Sequence, residues 1–249
     1  MNRLRERVGF AIRRPDIAWR RMLRQDFITI KLDEIAPYLG EAPVILEAGA
    51  CDGADTVEFA RRWPGATIHA FEPVPDLMAR VRLRTGQLPQ VRRYQLALAD
   101  RTGTATLHVS RDVSDPTETR RNRGSSSLLV PAAPVLANPQ MVFDRSITVQ
   151  TMTIPDWARR ERVDRIDFMW LDMQGMELAT LKAAGPVLAT TTALSMEVNR
   201  KPFYAGCPVY DEVMSWMRDQ GFAAVIDRVG LWFGNVLFVR RRPAAGGTP

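Results

Sequence analysis

Short apolar runs alternate with amphipathic stretches along most of this chain of 249 residues. The apolar run at residues 44–46 is typical of a strand buried on both faces of a parallel sheet. Further strands are predicted at residues 66–71, near 91–98, and at 166–171 and 193–198. Apolar residues at helical spacing mark residues 27–39, 54–63, 76–84, 175–184 and 209–217. The alternation predicts an α/β domain with helices on both faces of a parallel sheet.

The end of the chain departs from this alternation. Residues 222–226 and 236–239 are apolar, and too few residues join them to form a helix. Strands joined in this way pair antiparallel. The pattern therefore predicts a mostly parallel, seven-stranded sheet that closes in a C-terminal antiparallel hairpin. Residues 242–249 are expected to form a flexible tail.

A second pattern interrupts the sheet. Alternating apolar and polar residues at 104–109 and 147–151 predict two half-buried strands. Between them, residues 112–145 contain four prolines, the pair Arg120-Arg121 and three consecutive serines that include Ser126. A long connection without periodicity is typical of a lid or a binding loop. We expect residues 112–145 to be a lid-like loop within an inserted region.

The net charge of +6 is confined to the start of the chain. Residues 3–24 hold eight arginines against Glu6 and Asp16, so the remainder of the chain sums to zero. We therefore separate a basic N-terminal arm, residues 1–26, from a neutral domain at residues 27–241. The arm is a solvated helix face or a contact for anionic lipid or an acidic partner. Without a basic groove that carries aromatic residues, a nucleic-acid partner is not expected.

The cysteine content and the hydropathy of the sequence indicate the cellular compartment of the protein. The sequence contains two cysteines, in no arrangement that suggests a disulfide framework. No apolar run approaches the roughly 18 residues that a membrane-spanning helix needs. We therefore expect a cytoplasmic protein, with peripheral membrane contact through the arm as an open alternative.

A glycine-containing turn after the first strand carries the strongest chemical signal. Residues 47–53, Glu-Ala-Gly-Ala-Cys-Asp-Gly, lie between a strand and a helix. Gly49 and Gly53 permit a tight turn and a close approach of backbone to a ligand, and the helix that follows offers free N–H groups. The spacing does not fit the G-x-G-x-x-G of a nicotinamide site, because Cys51 occupies the second glycine position. An acid two residues before the first glycine, here Glu47, is common in methyltransferases, where it faces the methionine end of the cofactor.

Three further acids lie at the ends of predicted strands. Glu72, followed by Pro73, is placed to accept hydrogen bonds from the two ribose hydroxyls of an adenosine cofactor. Asp172 and Glu197 end the next strands at the edge where open α/β sheets bind ligands. Either acid could serve as a general base, with Asp172 preferred; Asp172 could instead contact the cofactor or cap a helix. Glu197 could instead pair with a cation such as Lys201.

Two other interpretations concern metal and histidine. Asp172, Glu197 and Asn199 could supply oxygen ligands to Mg²⁺, although three oxygen side chains are a weak signal. His69 lies inside an apolar strand and is interpreted as a core residue. His108 lies on the polar face of a strand and is interpreted as solvated. No G-x-S-x-G motif supports a serine hydrolase.

Together these motifs resemble the FkbM family of methyltransferases over residues 44–239. The resemblance comprises the 47–53 turn, Ala70-Phe71-Glu72-Pro73, Leu96-Ala97-Leu98-Ala99-Asp100, Gly124-Ser125-Ser126-Ser127-Leu128 and Leu171-Asp172-Met173-Gln174-Gly175. It implies a Rossmann-like class I methyltransferase fold, S-adenosylmethionine as donor and, in most members, a hydroxyl acceptor on a sugar or natural product. One similar branch methylates fucose on rhizobial nodulation factors, which points to glycan acceptors.

Residues of the turn, of the strand ends and of the lid-like loop are the candidates for binding the donor and the acceptor. The donor would be held by the residues of the turn and of two strand ends, namely Glu47, Gly49, Cys51, Asp52, Gly53, Thr56, Glu72, Pro73, Leu98 and Asp172. The acceptor would meet Arg120, Arg121, Ser126 and Asn199. This chain departs from the family at Cys51 (often Asn), Gln174 (often Glu) and Thr153 (commonly Asp).

Other functions stay open at this stage. A methyltransferase fold without catalysis could act as a binding subunit, and a peptide acceptor is compatible with the neutral domain. A nicotinamide oxidoreductase on a related sheet is a further alternative. The sequence does not indicate the oligomeric state.

Overall fold

The computed structural model describes residues 30–113, 124–136, 138 and 140–241. The predictions for the basic arm, the tail and the pair Arg120-Arg121 concern residues outside these ranges. No helix among the described residues is long and apolar enough to cross a membrane.

A seven-stranded sheet forms the centre of the molecule. A smaller, inserted sheet of three strands accompanies it. The strands of both sheets, in chain order, are β1 (Val44–Ala48), β2 (Thr67–Phe71), β3 (Val91–Tyr94), β4 (Ala97–Leu98), β5 (Gly103–Asp112), β6 (Met141–Met152), β7 (Phe168–Leu171), β8 (Ala193–Asn199), β9 (Phe222–Asp227) and β10 (Phe233–Arg240). The spatial order of the large sheet is β3-β2-β1-β7-β8-β10-β9. Only β10 runs antiparallel to its neighbours, so the predicted parallel sheet with a terminal hairpin is confirmed.

Helices cover both faces of this sheet. They are α1 (Leu32–Ile35), α2 (Ala54–Arg62), α3 (Pro75–Thr85), α4 (Ala133–Leu136), α5 (Ile154–Glu161), α6 (Glu177–Lys182), α7 (Pro186–Thr190) and α8 (Tyr210–Asp219), with a 3₁₀ turn at Ala36–Tyr38. One face buries Phe59 of α2 and Met78 of α3 against Ile45 and Ile68. The other face buries apolar residues of α5, α6, α7 and α8 against β1, β7 and β8.

The inserted sheet has the order β4-β6-β5, with β4 parallel and β5 antiparallel to β6. Leu107 and Val109 of β5 and Val149 of β6 pack on Cys51 and Val74 beside the glycine turn. This small sheet therefore forms one wall at the carboxyl edge of the large sheet.

Several predicted boundaries were wrong. The strand predicted near residues 91–98 is two strands, β3 and β4, that belong to different sheets. β6 begins at Met141, inside the segment predicted to be a loop, and α4 lies there too. The helix predicted from residue 27 is, within the described residues, one α-helical turn followed by a 3₁₀ turn. In each case pairing with a distant strand or a change of backbone direction overrode the local pattern.

Candidate functional site

The turn after β1 is pressed against the end of β7. Gly49 has φ +90°, and a Cβ built there would lie 2.0 Å from the carbonyl oxygen of Asp172. The amide nitrogens of Gly49 and Ala50 both donate to the carbonyl of Phe71, at 3.0 and 2.9 Å. The sequence therefore needs glycine at position 49 because the ends of three strands meet there.

A cleft opens directly above this turn, at the carboxyl edge of the sheet. It contains about 700 Å³ of space, counting the part open to solvent. Seven of the predicted site residues line it: Gly49, Cys51, Glu72, Pro73, Leu98, Ser126 and Asp172. The structure thus brings together residues from β1, β2, β7 and the inserted region.

Most of the lining is apolar. Leu107 and Leu128 come from the inserted region, Val74 and Leu77 from the start of α3, and Met176 from the turn after β7. The charged residues that line the cleft in the described part of the chain are the acids Glu72 and Asp172. Such a site suits a largely apolar ligand that presents hydroxyl or cationic groups to two carboxyl groups.

Glu72 is held at the end of β2 by backbone groups. One carboxyl oxygen accepts the N–H of Cys51 at 2.9 Å, and the other accepts the N–H of Val74 at 2.8 Å. Burial raises the pKa of Glu72 to about 8, against the opposing effect of these two hydrogen bonds, and the nearby Asp172 adds to the rise. The carboxyl group is therefore fixed in orientation while it borders the cleft.

Four other residues assigned to the donor lie beside the cleft and do not line it. The buried carboxyl of Glu47 accepts the hydroxyl of Thr56 at 2.6 Å, which ties β1 to the first turn of α2. Asp52 accepts the N–H of Ala54 and pairs with Arg84 at 2.9 Å. Gly53 has φ +80°, and a Cβ there would meet the Cα of Val81 at 3.1 Å. In this structure these residues build the turn, and their direct contact with a cofactor stays a prediction.

The turn after β7 is held by a buried acid that the sequence did not single out. The carboxyl of Glu177 accepts the N–H of Met173 at 2.7 Å and the N–H of Gly175 at 2.9 Å. Burial raises the pKa of Glu177 to about 7. Helix α6 begins at Glu177, after Met176. Asp172 is therefore not a helix cap, which removes that interpretation.

Asp172 takes a hydrogen bond from Gln174, and Glu197 is buried nearby. Nε2 of Gln174 donates to Oδ1 of Asp172 at 2.7 Å. Burial, with the charges of Asp172 and Glu177, raises the pKa of Glu197 well above its usual range. Glu197 is buried and does not line the cleft, and Lys201 is exposed.

Asn199 and the histidines lie away from the cleft lining. Asn199 is buried at the end of β8, opposite Phe233 of β10. His69 is buried, with Nδ1 3.0 Å from the hydroxyl of Tyr94, and burial lowers its pKa to about 4. This confirms its interpretation as a core residue. His108 is half-buried, with Nδ1 3.3 Å from the hydroxyl of Ser146.

The serine segment forms the rim of the cleft opposite the sheet. Ser127 and His108 exchange backbone hydrogen bonds of 2.8 and 3.1 Å, which adds the segment to the edge of β5. Ser126 accepts the N–H of Ser110 at 3.0 Å. The hydroxyl of Tyr204, a residue that the sequence reasoning missed, donates to the carbonyl of Ser125 at 2.8 Å. No local motif marks Tyr204, because its role depends on contacts distant in sequence.

Metal binding finds no support in the described residues, which contain no group of three or more His, Cys, Asp or Glu side chains able to hold an ion. The proposed magnesium ligands Asp172, Glu197 and Asn199 do not form such a group.

Comparisons with known proteins bear on this site. Residues 47–224 match the model of the methyltransferase FkbM domain. A 2-O-methyltransferase, NoeI, of Sinorhizobium fredii is 31% identical over 164 residues, 66% of this chain and 66% of that protein, which is just under two thirds of its length.

Solved structures are similar at lower identity. An rRNA methylase of Streptococcus thermophilus is 11% identical, with a TM-score of 0.46 over 86% of this chain and all of that chain. TrmK of M. capricolum, solved with S-adenosylhomocysteine, is 6% identical, with a TM-score of 0.47 over 87% of this chain and 70% of that chain. The assignment of the fold rests on the strand order of this chain, which is that of a class I methyltransferase.

The matched region begins at the glycine turn, contains every strand end that lines the cleft and extends into β9. The chain belongs to the FkbM methyltransferase family.

Proposed function

We propose that the chain is an S-adenosylmethionine-dependent O-methyltransferase that acts on a hydroxyl of a glycan or small-molecule acceptor. One observation carries the proposal: in a member of the FkbM family, Gly49, Glu72 and Asp172 converge on a single cleft at the carboxyl edge of the sheet.

The residues of the cleft fit the donor. Gly49 lines the cleft and carries no side chain, so a ligand can approach its backbone. The fixed carboxyl of Glu72 borders the cleft and can accept from ribose hydroxyls. Val74, Leu77 and Leu98 give an apolar surface for a purine. When bound, S-adenosylmethionine supplies an activated methyl group on a sulfonium sulfur.

The protein excludes water, orients the acceptor and accepts its proton. The apolar wall of Leu107, Leu128 and Met176 excludes water from the reacting groups. The cleft would hold the acceptor hydroxyl in a fixed orientation, and orientation of this kind supplies much of the rate enhancement in transfer reactions. Asp172 would accept the proton of that hydroxyl.

The name 2-O-methyltransferase of the S. fredii relative supports an oxygen acceptor. The acidic lining of the described cleft favours an acceptor that is uncharged near its reacting hydroxyl, such as a neutral sugar. Arg120, Arg121 and Ser126 remain proposed acceptor contacts, whereas Asn199 is buried and does not line the cleft.

Donor binding is tested by calorimetric titration of the purified chain with S-adenosylhomocysteine, with NADH as the control ligand. We expect binding of the first and none of the second. Binding of neither would favour a binding subunit without catalysis.

Acceptor class is tested with methyl-labelled donor and a panel of neutral methyl glycosides, sugar phosphates and short peptides. We expect label in the neutral glycosides, in an alkali-stable ether. Label in peptides alone would overturn the glycan assignment.

A further inference from the structure

Gln174 occupies an unfavourable backbone conformation beside the cleft. Its φ is +54°, in the left-handed region that residues other than glycine rarely adopt. A residue is kept in this region only when its surroundings hold it there, and such residues concentrate at functional sites. The neighbour Gly175 has φ +102°, and a Cβ there would meet Cys207 at 2.9 Å. The turn therefore has little freedom to relax.

The side chain of Gln174 connects two polar groups. Its Nε2 donates to Oδ1 of Asp172 at 2.7 Å. Its Oε1 accepts the hydroxyl of Tyr204 at 2.9 Å. An amide carries both a donor and an acceptor, so it can donate to a carboxylate and accept from a hydroxyl at once, which an ionised carboxylate cannot do.

Tyr204 extends this connection to the rim. The residue is 1% exposed, and its single hydroxyl hydrogen is shared between Oε1 of Gln174 and the carbonyl oxygen of Ser125, which lies 2.8 Å away. The hydroxyl of Ser127 donates to the backbone carbonyl of Gln174 at 2.8 Å. Two links thus join the turn after β7 to the rim segment, whose residues Ser126 and Leu128 line the opposite side of the cleft.

We propose that Gln174, held by Tyr204, is a positioning residue that fixes the carboxyl of Asp172 relative to the acceptor rim. The inference rests on the proposed function, in which Asp172 takes the acceptor proton. Gln174 acts through Asp172: its amide sets the orientation of that carboxyl, and Tyr204 sets the orientation of the amide. The distance between the Asp172 carboxyl and the rim segment is then fixed before the acceptor binds.

The kinetic test uses Tyr204→Phe, Gln174→Met and the double variant, with the neutral methyl glycoside that the wild type methylates fastest. Each single variant should lose at least tenfold in kcat, while the glycoside KM and the S-adenosylhomocysteine Kd stay within threefold. The double variant should be no slower than Gln174→Met, because both changes break one connection. Tyr210→Phe is the control, since that hydroxyl bonds Asp227 outside the cleft; it should keep wild-type kcat.

A merely structural role would give a different result. The glycoside KM, the S-adenosylhomocysteine Kd and the melting temperature would then worsen together, and the two changes would add. That pattern, or an unchanged kcat in Tyr204→Phe, would overturn the inference.

A second measurement needs no acceptor. Amide hydrogen exchange is followed in peptides that cover residues 124–128 and 172–176 of wild type and Tyr204→Phe. We expect faster exchange in both peptides of the variant and no change in a peptide that covers β9. Unchanged exchange in either of the first two would overturn the inference, even if no glycoside is methylated and the proposed function itself fails.

Discussion

At the scale of single residues, a substitution of Glu72 tests most directly whether the cleft binds the donor. Glu72→Gln keeps the shape of the side chain but removes an acceptor that can carry charge. The carboxyl is ionised above its pKa of about 8. Hydrogen bonds to charged groups contribute about 1.5–3 kcal/mol, so above this pH the Kd for S-adenosylhomocysteine should rise roughly 10- to 150-fold. Calorimetric titration at about pH 9 measures this change.

The control for this variant is Glu58→Gln, which alters an exposed glutamate on α2 that pairs with Arg61 in the described part of the chain. It should bind S-adenosylhomocysteine as the wild type does. Equal affinities of Glu72→Gln and wild type would show that the ligand does not contact Glu72.

A substitution of Gly49 tests the close approach of the turn after β1 to the end of β7. Gly49→Ala adds a Cβ that would lie 2.0 Å from a backbone oxygen, at a φ of +90°. Strain of this kind and overpacking each cost on the order of 1–3 kcal/mol. We expect a loss of several kcal/mol in urea unfolding and no binding of S-adenosylhomocysteine.

Gly40→Ala is the matched change, because a Cβ at Gly40 meets nothing within 4 Å. It should change the free energy of unfolding by less than about 0.5 kcal/mol. Equal free energies of unfolding for the two alanine variants would show that position 49 is not crowded.

At the scale of elements, the structure explains why threonine can replace the family's common aspartate at position 153. Its hydroxyl accepts the N–H of Asp156 and caps the start of α5. Aspartate and threonine both serve at this position, so the departure keeps the function of the residue. The helix matters to the site indirectly, since Trp157 packs on Phe71 and the end of β2.

Thr153→Ala should lower the free energy of unfolding by about 1 kcal/mol, because one N–H of α5 loses its partner. Thr153→Asp should stay within about 0.5 kcal/mol of the wild type. Urea unfolding at neutral pH measures both. An alanine variant as stable as the aspartate variant would contradict a capping role.

At the scale of the whole molecule, buried acids make stability depend on pH. The folded-state pKa values of Glu72 and Glu177 are raised to about 8 and about 7, above the ordinary value of 4.5. Between pH 4.5 and 8 the folded chain therefore binds more protons than the unfolded chain. The contribution of these acids to stability is complete below pH 4.5 and is lost as the pH rises through 7 and 8.

The free energy of unfolding should accordingly fall between pH 5 and pH 8.5, by an amount on the order of a few kcal/mol, since one pKa unit corresponds to about 1.4 kcal/mol. Urea unfolding across this range measures the fall. The double variant Glu72→Gln/Glu177→Gln should show a flatter dependence. A stability that rises over this range, or an equal slope in the variant, would refute the assignment.

Whole-molecule architecture also shows where prediction from sequence succeeded. The sheet strands, α2, α3 and α8 were predicted because their apolar periodicity is local and strong. The strand predicted at residues 91–98 divides because β4 pairs with β6, more than 50 residues away in the sequence. No local pattern carries that pairing, and the same holds for the start of β6.

The sequence by itself determined the family, the alternation of strands and helices, and the strand ends that carry Glu72 and Asp172. These follow from local periodicity, turn chemistry and motif order, which a linear chain displays directly. Only the tertiary structure decided that Glu47 supports Thr56, that Glu197 is buried and does not line the cleft, and that Tyr204 reaches the rim. Such relations depend on strand order and on contacts between distant segments, and the free energy that fixes them comes from packing the whole chain.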